Sequence, residues 1–205
     1  MSVNWLKFTQ RLQAIAQNGL TYAENPFDIE RYEHLRDLAV EMAACYGDSD
    51  PEVIRGLFTS DQDYVTPKVD TRGVVFRDDA VLLVRERSDG LWTVPGGWAD
   101  IGDSPAEATE REVFEESGYT ARATRLLAVY DRNKHDHPPH PHHIYKLFFL
   151  CQLTGGTAQV SVETTGVDFF PVAALPPLST ARVTAKQIAR FYQLANNPDI
   201  PADFD

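Results

Sequence analysis

Cysteine is scarce in this chain. Cys45 and Cys151 are the only two in 205 residues, and they lie far apart. A disulfide framework and a cysteine-built zinc site are therefore both excluded as organising principles. The two read as buried thiols in a reducing cytosol. Long apolar runs are missing too. None approaches the ~18 residues that a membrane-spanning helix needs, and no cleavable leader pattern opens the chain. The expectation is a cytoplasmic protein with no membrane partner. Positive charge is also short: 19 Lys and Arg stand against 30 Asp and Glu, a formal net charge of −11. Such a balance gives no long-range attraction to nucleic acid or to an anionic membrane. Apolar residues are present in ordinary amount, 43%, enough for one good-sized domain with a small appendage.

The most informative stretch is Gly96 to Tyr119, GGWADIGDSPAEATEREVFEESGY. Ser104 is a good N-cap, Pro105 suits the first helical position, Glu107 completes a capping box and Gly118 supplies a left-handed stop. These signals predict a helix over Pro105–Ser117. Glu112, Glu115 and Glu116 fall at spacings of three and four, which brings them onto one face. Crowded carboxylates repel one another unless a cation sits among them, and hard oxygen donors suit Mg²⁺ or Mn²⁺ rather than zinc. Such a cation would also invert the acidic field locally, so that a pyrophosphate could dock. Arg111 stands four residues before Glu115 and can orient it. Val113 falls on another face and can pack inward. Gly96 and Gly97 let backbone amides approach phosphate oxygens, and equally serve a turn. A solvated acidic helix is the simpler reading of a charge run. It does not account for the double glycine, the caps and the clustered face together.

Before this stretch, Trp5, Phe8, Leu12 and Ile15 form an apolar seam at helical spacing, ended by Asn18-Gly19. A second helical pattern runs from a cap at Asp28 to Cys45, through Tyr32, Leu35, Ala39 and Met42. A short third segment spans residues 51–58. Two helices and a turn have little core of their own, which points to a homodimer seam. Residues 72–76, 81–85 and 91–98 read as strands. After the acidic helix come strands at 121–130, 144–153, 159–162 and 167–171. A terminal helix follows at 180–195, and then a polar tail that frays.

Five of the six histidines lie in residues 131–143, DRNKHDHPPHPHH. Zinc is the weaker reading there, because three prolines extend the loop and no cysteine joins it. A substrate-side role is favoured for Arg132, Lys134, His140 and His143. Lys146, a lone charge in a buried strand, is expected to point toward the acidic site. Glu163, in a loop before the last strand, is a candidate general base.

The Gly96–Tyr119 stretch resembles the Nudix box, whose pattern is G-x5-E-x7-REUxEExGU with U apolar. Gly97, Arg111, Glu112, Val113, Glu115, Glu116 and Gly118 match in register. Asp103 replaces the glutamate and is one methylene shorter, so it is assigned a supporting role; Tyr119 takes the last apolar position. The resemblance implies an α/β/α sandwich with a mixed sheet over residues 65–205, preceded by a small all-helical domain over 1–64. It implies metal-dependent hydrolysis of a nucleoside diphosphate linked to another moiety, with Arg111, Glu112, Glu115 and Glu116 as catalytic residues. The three glutamates are the implied holders of Mg²⁺ or Mn²⁺. Some members place the catalytic glutamate in a late loop, the position Glu163 resembles. The helical region, the histidine loop and the ETTGVDFF segment are similar to a subgroup containing CDP-choline and ADP-ribose pyrophosphatases. A CDP-choline-like substrate is expected, yielding a nucleoside monophosphate and a phosphorylated partner. The alternatives are an ADP-ribose pyrophosphatase, a hydrolase of oxidised nucleoside triphosphates, an RNA-end hydrolase or exonuclease, and a non-catalytic nucleotide sensor. The acidic balance disfavours RNA.

Overall fold

The computed structural model describes residues 5–47, 50–59 and 64–205. The chain divides into two compact units: Met1–Pro67 with Pro139–His143, and Lys68–Pro138 with Ile144–Asp205.

The first unit contains α1 (Trp5–Tyr22), α2 (Pro26–Gly47) and α3 (Pro51–Thr59). Its core is Ala39, Val40, Ala44, Ile54 and Phe58, with Leu12, Ala43 and Leu57 packed against it. Four details depart from the sequence pattern. α1 does not stop at Asn18-Gly19 but runs on to Tyr22, and the Tyr32 ring fills the space a Cβ would take at Gly19. α2 is capped by Asn25, whose Oδ1 accepts from Phe27 N at 2.9 Å, and Asp28 lies inside the first turn. The apolar seam of α1 is divided: Leu12 packs on this core, but Phe8 and Ile15 are 48% and 53% exposed, while Thr9, Gln13, Ala16 and Gln17 are buried. Cys45, expected to be buried, is exposed as well.

The second unit is a mixed sheet between helices. Its strands are β1 (Lys68–Arg77), β2 (Ala80–Glu86), β3 (Trp92–Thr93), β4 (Gly96–Trp98), β5 (Tyr119–Asp131), β6 (Ile144–Gly156), β7 (Thr164–Pro171) and β8 (Asp203–Phe204). The order is β3-β2-β1-β6-β5-β8, with β4 on β1 and β7 on β2. The β1–β6 and β5–β8 pairs are parallel and the others antiparallel. Alternation along β1 and β2 sends Val74, Val81 and Leu83 to one face and Val75 and Leu82 to the other. On the first face they meet Ile188, Phe191 and Leu194 of α5 (Ala185–Asn196). On the second they meet Val113 of α4 (Pro105–Ser117), which crosses β1 where Gly73 leaves room for it. No helix among the described residues is long and apolar enough to cross a membrane.

The late segments differ from expectation. Residues 159–162 form no strand, and β7 opens at Thr164 rather than 167. Arg87 bears on this locally: its guanidinium donates to the carbonyls of Ser161 and Val162, and to that of Thr164 where β7 begins. α5 starts at Ala185, with Thr184 and Gln187 forming a capping box. The polar tail does not fray. Asp203–Phe204 pairs with Ala128–Val129, and Arg190 grips Asp203 through two bonds of 2.7 Å.

Candidate functional site

The site is built on α4, and α4 is built by its ends. Ser104 Oγ accepts from Glu107 N at 3.3 Å, and the Glu107 carboxylate accepts from Ser104 N at 2.9 Å. At the other end Gly118 has φ 73° and donates to Phe114 O at 2.8 Å. Between these caps Val113 is sunk in the core, which fixes the rotation of the helix and carries Glu112 and Glu116 toward β4.

There the two glycines matter. Gly96 N donates to Glu116 Oε2 at 2.9 Å. Gly96 sits at φ 143°, and a Cβ there would run into Thr71 O. A Cβ on Gly97 would come within 2.9 Å of Glu112 Oε2. The backbone thus closes directly over two carboxylates. Glu115 takes another course: it is 56% exposed and lies 3.2 Å from Arg111 Nη1. The same nitrogen donates to Glu112 Oε1 at 2.9 Å, and Arg111 also pairs with Asp103 and Asp100, each at 3.1 Å. Asp103 therefore braces Arg111, which braces Glu112 and Glu115.

Three acids that share this region are held toward their neutral forms. Burial pushes the Glu116 carboxyl up to about 7; Glu86 and Glu112 add to the shift, and Arg72 and the Gly96 N–H oppose it. Glu112 is raised by burial and by Glu115, against Arg111 and Arg72. Glu86, at the end of β2, is raised by burial and by Asp89 and Glu163, against Arg182 and Arg72. Sequence reasoning does not single out Glu86, Arg72 or Asp70. Each is a charge inside or at the end of an apolar strand, the same signal that draws attention to Lys146.

Arg72 donates to Asp70 Oδ1 at 2.7 Å and Oδ2 at 3.2 Å, and both residues are buried. Lys146 Nζ contacts Asp70 Oδ2, so its nearest acid is on β1 rather than on α4. Burial lowers Lys146 to about 8. Arg132 is buried near Asp70, whereas Lys134 is exposed in a cleft of about 260 Å³ lined also by Tyr130, His135, Lys186 and Arg190. His140 and His143 belong to the helical unit, where Gln10 Nε2 donates to His140 O at 2.9 Å; they are not in the unit that carries the glutamates. Glu163 is exposed, but its backbone is held on both sides. Its N donates to Ser161 Oγ at 3.1 Å, and its carbonyl accepts from Arg87 N at 2.8 Å. Next to it, Thr164 Oγ1 donates to Glu116 O at 2.9 Å, tying this loop to the end of α4.

Among the described residues, no three His, Cys, Asp or Glu side chains converge closely enough to form a ready-made metal cage. The donors nonetheless fit a hard divalent cation. Glu112 and Glu116 present carboxylate oxygens on one face, and burial, with repulsion from neighbouring acids, disfavours their charged forms. A cation there would remove that penalty.

Residues 67–191 match the family model described as NUDIX domain. Residues 3–58 match the model described as UDP-X-like, N-terminal oligomerisation domain. YjhB of Bacillus subtilis (strain 168), which carries a provisional ADP-ribose pyrophosphatase name, is 46% identical over 205 residues, 100% of this chain and 99% of YjhB. A crystal structure of UDP-X diphosphatase is 35% identical with a TM-score of 0.65, covering 98% of each chain. An ADP-ribose pyrophosphatase from Streptococcus suis 89-1591 is 39% identical with a TM-score of 0.64, covering 68% of this chain and 100% of that one.

Proposed function

We propose, from the premise that this chain belongs to the Nudix family of hydrolases, that it cleaves the pyrophosphate bond of a nucleoside diphosphate linked to a second moiety. ADP-ribose and UDP-linked compounds stand ahead of CDP-choline-like ones, because those are the substrates its full-length relatives are named for. The products are a nucleoside monophosphate and a phosphorylated partner. The observation that carries this reading is the Glu112–Glu116 pair lying under the Gly96–Gly97 backbone.

Nudix hydrolases generally use divalent metal ions, and Glu112 and Glu116, with Glu115, are the residues that would hold one here. When bound, such an ion polarises phosphoryl oxygens and makes water a stronger nucleophile. The chain supplies the rest. Arg111 orients Glu112 and Glu115. The glycine pair keeps side chains out of the space over the carboxylates. Water attacks one phosphorus, its bond to the bridging oxygen breaks so that the other phosphate leaves with that oxygen, and a carboxylate takes the water's proton, either Glu163 or a glutamate of α4. Arg72 faces Glu116 and offsets negative charge around it.

We also assign the outward apolar face of α1 to a second copy of the chain. The support is the exposure of Phe8 and Ile15, the stacking of Trp5 on Tyr46 at 4.6 Å, and the oligomerisation model that matches this region. Two unpaired thiols, Cys45 and Cys151, support a reducing cytosolic setting.

The test is a substrate panel with Mg²⁺ and with Mn²⁺: ADP-ribose, UDP-sugars, CDP-choline, 8-oxo-dGTP and a short RNA, with products separated by chromatography. AMP and ribose phosphate, or UMP and a sugar phosphate, are the expected products. Turnover of 8-oxo-dGTP or RNA alone would overturn the substrate class. Tight nucleotide binding with no turnover would overturn the hydrolase reading.

A further inference from the structure

Arg132 is 3% exposed, yet among the described residues its guanidinium makes no hydrogen bond and no ion pair. It is held at the start of a 3₁₀ turn, Arg132–Lys134, directly after β5. The acid it feels is Asp70. Both Asp70 oxygens are already engaged, Oδ1 by Arg72 Nε and Oδ2 by Arg72 Nη2 and the Lys146 ammonium. Arg72 has further acids facing it, Glu116 and Glu86. Arg132 has no second acid among the described residues. Its neighbour His137 does not supply a charge of either sign, since burial first, and then Lys146 and Arg132, hold it neutral down to about pH 4.

A guanidinium cannot shed its proton to escape such a position. A buried cation whose one nearby acid is already bonded to two other cations is unfavourable, and this fold keeps one. The missing partner is an anion with oxygens spaced for a planar fork, as a phosphoryl group has. All of these residues, and the glutamates of α4, lie in the same compact unit. Arg72 is the link between them, bonded to Asp70 on one side and facing Glu116 on the other.

We propose that Arg132, assisted by the Lys146 ammonium, is an anion anchor that takes a phosphoryl group of the substrate's diphosphate, the one that the α4 glutamates do not serve. The identity of that anion rests on the hydrolase reading; the need for an anion rests on Arg132 itself.

Calorimetric titration of the full chain with inorganic pyrophosphate, in chelator so that no turnover occurs, tests it. Arg132→Gln is expected to weaken pyrophosphate binding about tenfold, the size typical of losing one charge-assisted contact. The thermal midpoint of the unliganded variant is expected to equal or exceed that of the parent, because an unpartnered buried charge has gone. An arginine that serves only the fold gives the opposite pair, a lower midpoint and an unchanged affinity, and that result overturns the proposal. Undetectable pyrophosphate binding by the parent protein overturns it too. Arg132→Lys keeps the charge and loses the fork, so a similar loss of affinity is expected from it, and it serves as the test if the glutamine variant does not fold. Turnover separates the two readings. A raised KM with kcat near the parent value supports both. Hydrolysis with an unchanged KM sinks the anchor alone. Absence of hydrolysis, with pyrophosphate affinity lost in Arg132→Gln, sinks the hydrolase reading alone.

Discussion

Glu116 is the residue with the sharpest consequences. Its carboxyl sits at about 7 instead of the ordinary 4.5, chiefly through burial. Glu116→Gln should lower kcat by about a hundredfold or more whether the side chain acts as metal holder or as base, with an unchanged circular dichroism spectrum. A steady-state assay at saturating Mg²⁺ measures this, and near-parental rates would remove Glu116 from the machinery. The same shift has a stability side. The folded state binds a proton that the unfolded state releases, so the metal-free protein is favoured below about pH 4.5 and loses that contribution as pH rises through about 7. The expected loss is on the order of 3 kcal/mol, at about 1.36 kcal/mol per pH unit. Urea unfolding in chelator across this range measures it, and Glu116→Gln should flatten the slope. A parental slope unchanged by the substitution would contradict the assignment. Much of this is legible in the sequence, because Glu112 and Glu116 are four apart on a helix whose caps are local. The burial of Glu86, Asp70, Arg72 and Arg132 is not. It depends on register between strands far apart in sequence, such as Asp70 opposite Lys146, which no local pattern encodes.

At the scale of elements, α4 and β4 work as one piece. The helix is readable to its end residues, since Ser104, Pro105, Glu107 and Gly118 each act within one turn of their own position. The strand below it is readable only as a glycine turn; that Gly96 at φ 143° faces Thr71 O and feeds its N–H to Glu116 follows from the β1–β4 pairing. Gly96→Ala should therefore damage both fold and activity. A positive-φ strain with a backbone clash is expected to cost roughly 1–3 kcal/mol or more, and a thermal melt would show it. Activity should fall further than stability alone explains, because the donor to Glu116 moves. Full activity with an unchanged midpoint would mean that the glycine serves neither. The misread elements have causes of the same kind. Residues 159–162 have strand composition, but Gln159 N donates to Ser117 O and the Ser161 and Val162 carbonyls accept from Arg87; the tail beyond Asn196 looks unstructured until Arg190 and β5 are placed beside it.

At the scale of the whole molecule, the seam that the sequence reads as a homodimer contact leaves Phe8 and Ile15 of the helical unit exposed. The spacing marks the seam but not which of its residues turn inward: Leu12 packs on the core, and the polar Thr9, Gln13 and Gln17 are buried on the adjoining face. Phe8→Ser with Ile15→Ser should convert an oligomer into a monomer, read by light scattering after size exclusion, with helicity retained. A variant that keeps the parental mass would place the interface elsewhere. The division of the chain also bears on how it is made. Pro139–His143 belongs to the helical unit although the flanking residues on both sides belong to the other. On the ribosome, the first unit to be started is therefore not the first to be finished. Its last five residues emerge only after the strands β1 to β5 and the helix α4 have been synthesised.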